Sequence, residues 1–467
     1  MSHSNHQPRI AVIGAGPAGI LTAWYLKKQG YRNVFVLEKS GRVGGLAHSH
    51  TWDGRSFDLG ANYVTPAYTE ILRLGREVGA TTYAERPFIA MRLPEEETGR
   101  VKLESILTAM RTRDDGSKVG LLTFAWLNLV YIYKRFKLRK VLDRPTFEGV
   151  AQHADLCLTM EEWLDKNELG ELKRLFQLPV NLMGFGTVKT TPALYPLKFM
   201  TLKTFIPMLI KETPFIGRFS SWPRRFTDGF QRLFDRLSWQ LNVRLNIDVQ
   251  QITRSAEGVQ INYRKPEQIL DGVRWEDGTL NVDHLILACP LTADVVDKFL
   301  DITPDSKEGE LLSKIHSLSY CMTTCHTEGG DLDGDPLAGA YPEPEMGYLP
   351  WGVAKQWLDS DFTQFYTRVD SEEGDVQQQV EDGAAALVKM MGGRIKDNED
   401  NWQTYTRWPY FQHVDGEAIR DGWYDKLQAQ QGVNRTFYVG GATNFELIEP
   451  IAEYAKHLVA THFPTQR

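Results

Sequence analysis

A chain of 467 residues is longer than one ordinary single-core domain and points to two or three. Hydrophobic residues at 42% and charged residues at 24% exclude a disordered or fibrous protein. The formal net charge of -7 supplies no positive field for a polyanion, so no nucleic-acid partner is expected.

The N-terminal residues Met1 to Pro8 carry neither a basic n-region nor an apolar h-region, and a cytoplasmic protein is expected. Ile10 to Ile13 then form a short apolar, β-branched run, followed by Gly14-Ala15-Gly16-Pro17-Ala18-Gly19 and the helical pattern Ile20, Leu21, Ala23, Trp24, Leu26. A second apolar run, Val34 to Leu37, ends on Glu38, which completes a βαβ unit. In such a unit the first glycine turns the chain, the second admits a pyrophosphate and the third packs helix on strand. The helix N-terminus offers free N–H groups to the phosphates, and Glu38 is placed to accept from ribose hydroxyls. The unit therefore reads as a dinucleotide site.

From Val119 to Tyr133 runs an apolar stretch that ends in the basic cluster Lys134 to Lys140. It is too short for a transmembrane helix. Its two readings are a core or lid helix of the substrate region and a peripheral membrane contact through residues 119–140. Residues 192–222 continue in helical, apolar pattern, and Trp222 to Leu237 reads as turn then helix. Val243 to Val249 alternates apolar and polar residues, which predicts one half-buried strand. Strands are expected at Val259 to Tyr263 and Leu285 to Ala288, then at Thr436 to Val439 before Gly440 and Gly441, with a helix from about Pro450 to Phe463. Asp331 to Asp335 lacks the spacing of a calcium loop and reads as a solvated turn. The four cysteines, Cys157, Cys289, Cys321 and Cys325, have no zinc-type spacing, and no metal site is expected. They read as buried thiols, with a Cys321/Cys325 redox pair as the alternative.

Glu38-Lys39-Ser40-Gly41-Arg42-Val43-Gly44-Gly45 resembles the ExxxRxGG extension of the flavin amine oxidase superfamily. Gly60-Ala61, Trp222 with Asp228-Gly229, Val249, and Phe437-Tyr438-Val439-Gly440 resemble its later landmarks. Tyr410 to Val414, Gly422-Trp423-Tyr424 and Tyr454 with Lys456 are most similar to its polyenoic fatty acid isomerase branch. The resemblance implies an α/β fold. A Rossmann-type FAD-binding domain (1–78, 220–300 and 432–467) would be interleaved with a mixed-sheet substrate domain (79–117 and 301–431) and a helical subdomain (118–219). It implies FAD on Gly14, Gly16, Pro17, Ala18, Gly19, Glu38, Lys39, Arg42, Gly44, Gly45, Gly60, Ala61, Val249 and Gly440, with Ile448 and Glu449 at the start of the last helix.

Two departures from the family pattern bear on function. Gly441 stands where many relatives have an acid, so one cofactor hydrogen bond passes to backbone or is lost. The stretch from Gly440 to Asn444 has no cysteine or histidine, which implies non-covalent FAD. Moreover, Tyr320 to His326 contains no lysine of the kind that amine-oxidising members often place near there. The resemblance then implies hydride transfer at an activated C–H of a small lipophilic, unsaturated substrate such as a polyunsaturated fatty acid, by an oxidoreductase or a redox-neutral isomerase. An amine or amino-acid oxidase and a dehydrogenase or oxidocyclase of a secondary metabolite are the alternatives. No acid/base dyad is required, because the flavin carries the chemistry. Chamber residues are expected at Asn62, Tyr63, Phe185, Trp408, Tyr410 and Phe411, and a carboxylate anchor at Arg86 or Arg92.

Overall fold

The computed structural model describes residues 7–85, 89–92, 99–213, 215, 217–269, 272–303, 305–333, 337–340, 347–357, 359–371, 373–396 and 402–466. The strand Ile10–Ile13 is buried along its whole length, as an apolar run in the middle of a parallel sheet must be. It pairs in parallel with Val34–Leu37 on one side and His284–Leu287 on the other. Asn242–Arg244 and Thr436–Tyr438 extend this sheet to five strands. The helix Pro17–Lys28 supplies the crossover between the first two, with proline in its first turn where no N–H is needed.

Alternation along the first strand divides two cores. Ile10 and Val12 face the helices Pro17–Lys28 and Ile448–His462, while Ala11 and Ile13 share a core with Ile252, Ile261 and Leu280. Those three belong to an antiparallel sheet of Asp248–Arg254, Val259–Ile269 and Gly272–Val282. The single strand expected over Val243 to Val249 is in fact two. Asn246 adopts φ +56, a left-handed turn that a continuous strand cannot contain. Arg244 pairs with Leu37 in one sheet, and Asp248 pairs with Arg264 in the other.

An eight-stranded mixed sheet forms the opposite wall of the molecule. Its longest strands, His316–Glu328 and Trp402–His413, run antiparallel, and Phe362–Val369 lies on the other side of His316–Glu328. Helices between Ile106 and Lys211 pack beside it, among them Leu121–Lys137, Lys173–Leu182 and Leu202–Lys211. Start signals are local: Thr159 and Glu162 form a reciprocal capping box for Met160–Lys166, and Thr201 caps Leu202–Lys211. Among the described residues no helix is long and apolar enough to cross a membrane. All four cysteines are free, so Cys321 and Cys325 form no disulfide; the Cys321 thiol lies 3.5 Å from the Tyr405 hydroxyl.

Candidate active site

A cavity of about 730 Å³ opens where the parallel strands end, within the range of cofactor and ligand sites. Gly14, Glu38, Ala288 and Gly440 follow the carboxyl ends of four strands and all line it, the expected position for a ligand of an open α/β sheet. The cavity extends from this rim into a chamber bounded by the mixed sheet, which contributes Tyr320, Met322, Tyr366, Trp408 and Tyr410.

The rim is built by backbone. Gly14 has φ +101, and a Cβ there would lie 2.9 Å from the Ala288 carbonyl oxygen. Gly45 has φ +49, and its Cβ would lie 2.9 Å from the Gly16 Cα, so the two loops touch without side chains. No described residue accepts from the N–H groups of Gly16, Ala18 and Gly19 at the start of the first helix, or from those of Ile448 and Glu449 at the start of the last. Two helix N-termini beside one cavity suit a group with phosphates and a polar ring edge.

Of the rim residues read from the sequence, Gly14, Gly16, Pro17, Ala18, Glu38, Lys39, Gly45, Gly60, Ala61, Val249, Gly440 and Ile448 line the cavity. Four do not. Gly19 lies inside the helix, where a Cβ would meet the Gly14 carbonyl oxygen at 1.9 Å, so its part is packing. Gly44 turns at φ +103 beneath the rim and donates to the Ala15 carbonyl. Arg42 faces inward to that turn: its guanidinium donates to the carbonyls of Val43 and Gly45 at 3.3 and 3.0 Å and stands 5.9 Å from the Trp408 ring. The Glu449 carboxylate points away from the cavity, accepting from the N–H groups of Glu70 and Ile71 at 2.7 and 2.9 Å. It caps the helix Thr69–Glu77 by accepting from first-turn N–H groups, while burial pushes it up to about 7.

Glu38 accepts from Ala15 N–H at 2.7 Å and from Ser40 N–H at 2.8 Å, fixing the glycine loop against the second strand. Glu38→Arg replaces these acceptors with a donor. FAD affinity is expected to fall by about one to two decades, roughly 1.5–3 kcal/mol for a charged hydrogen-bond acceptor. Flavin content after dilution and gel filtration measures it, and an undiminished yellow fraction would remove Glu38 from the site.

Asn62, Tyr63, Trp408 and Tyr410 line the chamber as read from the sequence. Phe185 and Phe411 do not: both are buried in the core behind it, Phe185 stacked 5.8 Å from Tyr410 and Phe411 packed 4.2 Å from His413. Their rings support the wall rather than form its surface. Phe411 sits at φ +54, where the strand twists and turns its ring inward. Arg92 is exposed and pairs with Glu104 on the outer edge of the mixed sheet, which removes it as an anchor, and Arg86 lies outside the described residues.

Three groups escaped the sequence reading. Tyr366 lines the chamber and accepts from Asn62 Nδ2 at 3.2 Å. Behind Tyr63 lies Arg225, wholly buried, paired with Glu85 and donating to the Tyr63 hydroxyl at 2.8 Å. The third is Glu446. Its carboxyl lines the cavity, accepts from Gln412 N–H at 2.9 Å, and is pushed by burial up to about 7. A Cβ on Gly441 would come 2.1 Å from its Oε2. The space that a side chain at 441 would fill thus holds the Glu446 carboxyl. An acid five positions along the chain thus stands beside the position that follows the strand glycine. The sequence did hold a signal, because Glu446 is a lone acid in the run Ala442 to Ile448.

Cys289, the cysteine that lines the cavity, lies beside Gly14 at the glycine-loop end, and burial pushes its thiol up to about 12. The rim, the paired helix N-termini and the Glu446 carboxyl beside Gly441 together fit a flavin dinucleotide.

Comparison with known proteins agrees. Residues 17–325 match the family model described as flavin containing amine oxidoreductase. Polyenoic fatty acid isomerase of Ptilota filicina is 26% identical over 199 residues, 40% of this chain and 39% of that protein. Putrescine oxidase of Kocuria rosea is 45% identical over 74 residues, 16% of this chain and 15% of that one. The matched segments therefore cover well under two thirds of either relative. The crystal structure of the CLA-producing fatty acid isomerase from P. acnes superposes with a TM-score of 0.78 at 24% identity, covering 99% of this chain and 100% of that one, which establishes a shared fold. With its family model matched over most of its length, this chain belongs to the flavin-containing amine oxidoreductase family and is an FAD-dependent enzyme.

Proposed function

We propose that the enzyme shifts a double bond in a lipophilic, unsaturated substrate, a polyunsaturated fatty acid being the representative case, without net oxidation. The observation that carries this reading is the lining of the chamber. Its walls are Asn62, Tyr63, Tyr68, Leu182, Met183, Tyr320, Met322, Tyr366, Trp408 and Tyr410, and among the described residues its one carboxyl is Glu446, pushed by burial up to about 7. The lysines on the cavity lining, Lys39 and Lys298, belong to the rim beside Glu38 and Phe299. A cationic amine would find no fully charged counter-ion in such a chamber, whereas an apolar chain would be desolvated at little cost.

FAD, when bound, supplies a two-electron acceptor able to take a hydride and give it back. The chain's own part is to hold a C–H beside it, to exclude water, and to tolerate the positive charge left on carbon. The π faces of Tyr320 and Tyr410, 6.1 Å apart, suit that last task, since aromatic faces attract cations most strongly where water is absent. The fatty acid isomerases among its relatives support the same reading, as their names state that class of substrate and reaction.

The test is anaerobic mixing of the FAD-loaded protein with panels of polyunsaturated fatty acids and amines. The expected result is many turnovers of a fatty acid without oxygen, seen as a new conjugated-diene absorbance, with no hydrogen peroxide when air is admitted. Peroxide formed one-for-one with consumption of an amine or a fatty acid would overturn it, leaving the FAD assignment intact.

A further inference from the structure

The helix Leu121–Lys137 buries a mixed face and exposes an apolar one. Phe124, Asn128, Tyr131 and Arg135, spaced by four, three and four residues, turn into the protein. Leu122, Trp126, Leu129, Tyr133 and Phe136, at steps of four and three, turn outward, with Leu122 88% and Trp126 64% exposed. This outward stripe is roughly 21 Å long at 1.5 Å per residue. The neighbouring helix Leu202–Lys211, joined to the first by the Tyr131 and Phe205 rings at 4.6 Å, exposes Ile206 and Ile210, and beyond it Phe215 and Phe219 are 83% and 77% exposed. Ten of the fifteen exposed large hydrophobic side chains among the described residues fall between Leu121 and Phe219. Scattered apolar side chains are ordinary on a soluble surface, but a concentration of this kind needs an occupant.

Charge decides which. No Asp or Glu occurs from Gly116 to Leu142 or from Leu172 to Lys211, in a chain whose net charge is -7. Arg135 is spent internally on Asp143, but no carboxylate among the described residues pairs with Lys137, Arg139 or Lys140. Lys118 and Lys203 are likewise exposed. Cations lean on the aromatic stripe itself: Lys137 Nζ lies 4.3 Å from the Tyr133 ring and the Arg139 guanidinium 3.8 Å from Phe136. A second copy docked on this face would bring two basic rims to one interface, with Asp143, already paired with Arg135, and Glu212 the acids that border it. An anionic bilayer answers both properties, taking the apolar side chains below its headgroups and the basic ones among them.

We infer that this face, centred on Leu122, Trp126, Tyr133 and Phe219 and rimmed by Lys137, Arg139 and Lys140, docks the enzyme on the surface of an anionic membrane without crossing it. The two helices lie in the interface plane, and the cofactor cavity stays in the body of the protein.

Flotation of the full-length FAD-loaded protein with vesicles of equal parts phosphatidylcholine and phosphatidylglycerol tests this. The protein is expected to float with these vesicles, less with pure phosphatidylcholine, and less again at high salt. Each of Lys137→Gln and Lys140→Gln is expected to lower partitioning about fivefold. The double variant Leu122→Ser, Trp126→Ser is expected to lower it by at least about tenfold, with flavin content and thermal melting unchanged, since both side chains are in solvent. Two results overturn the inference. One is failure to float with the mixed vesicles at low salt. The other is a concentration-dependent dimer in sedimentation that the same double variant dissolves, which would assign the face to a second copy.

Discussion

Arg225→Met is expected to lower the unfolding free energy by about 3–5 kcal/mol, the cost of breaking a buried ion pair by removing one member. Arg225 is wholly buried, ion-paired with Glu85, hydrogen-bonded to Tyr63, and placed 4.3 Å from the Tyr63 ring. Its loss removes the cation that faces Glu85, itself only 7% exposed, and Tyr63, Tyr83 and Tyr366. Adding Glu85→Leu should recover most of the deficit, because an apolar pair of similar volume replaces the ionic one. Denaturant unfolding of the wild type, the single and the double variant measures both effects. A single-variant deficit below about 1 kcal/mol, or a double variant no better than the single, would mean that the pair is hydrated and does not organise the chamber wall.

The second large effect concerns Gly441 and the Glu446 carboxyl beside it. Gly441→Glu forces a side chain into the space held by the Glu446 carboxyl, 2.1 Å from where its Cβ would stand. Crowding and like charge together are expected to cost about 3 kcal/mol, or roughly a hundredfold in FAD affinity. Glu446→Ala alone removes a charge-capable acceptor and is expected to cost about one to two decades. Combining them, Gly441→Glu with Glu446→Ala, returns one acid to the cavity from the neighbouring position. Affinity should then come back to within about tenfold of the wild type. Fluorescence titration of the apoprotein with FAD reads all four proteins. A double variant as weak as Gly441→Glu would show that the two positions do not share one role.

These pairs mark the boundary of what the sequence revealed. The glycine rim was legible because its geometry is local: Gly14, Gly16 and Gly45 are needed by a turn and by two backbones in contact, and their spacing is fixed by the strand and helix that flank them. Asn62, Tyr63, Trp408 and Tyr410 were reached through neighbours of recognisable motifs. Side-chain direction was not legible. Glu449 is at the right helix end, yet its carboxylate turns to the helix Thr69–Glu77, a partner far away in the chain. Phe411 follows Tyr410 directly, and its left-handed backbone turns its ring into the core. Tyr366 and Arg225 carry no motif, and they gain meaning only when the mixed sheet and the segment Arg224–Phe226 meet the loop after Gly60. Likewise the alternation of Val243 to Val249 was real, but one left-handed residue, Asn246, divided it between two sheets.

The parallel sheet has a further consequence for the life of the chain. Its strand Thr436–Tyr438 and the cavity-lining residues Gly440, Gly441, Glu446 and Ile448 leave the ribosome long after Gly14 to Ala18, the other side of the same rim. Until they are made, the glycine loop faces no closing strand, and the apolar side of Pro17–Lys28 lacks the helix Ile448–His462 that covers it. A nascent chain stalled before residue 436 would therefore expose this surface to aggregation and to quality control. Scarcity of the cofactor would act on the same region, since a ligand held by both the glycine loop and Gly440 to Ile448 stabilises the closed arrangement by mass action.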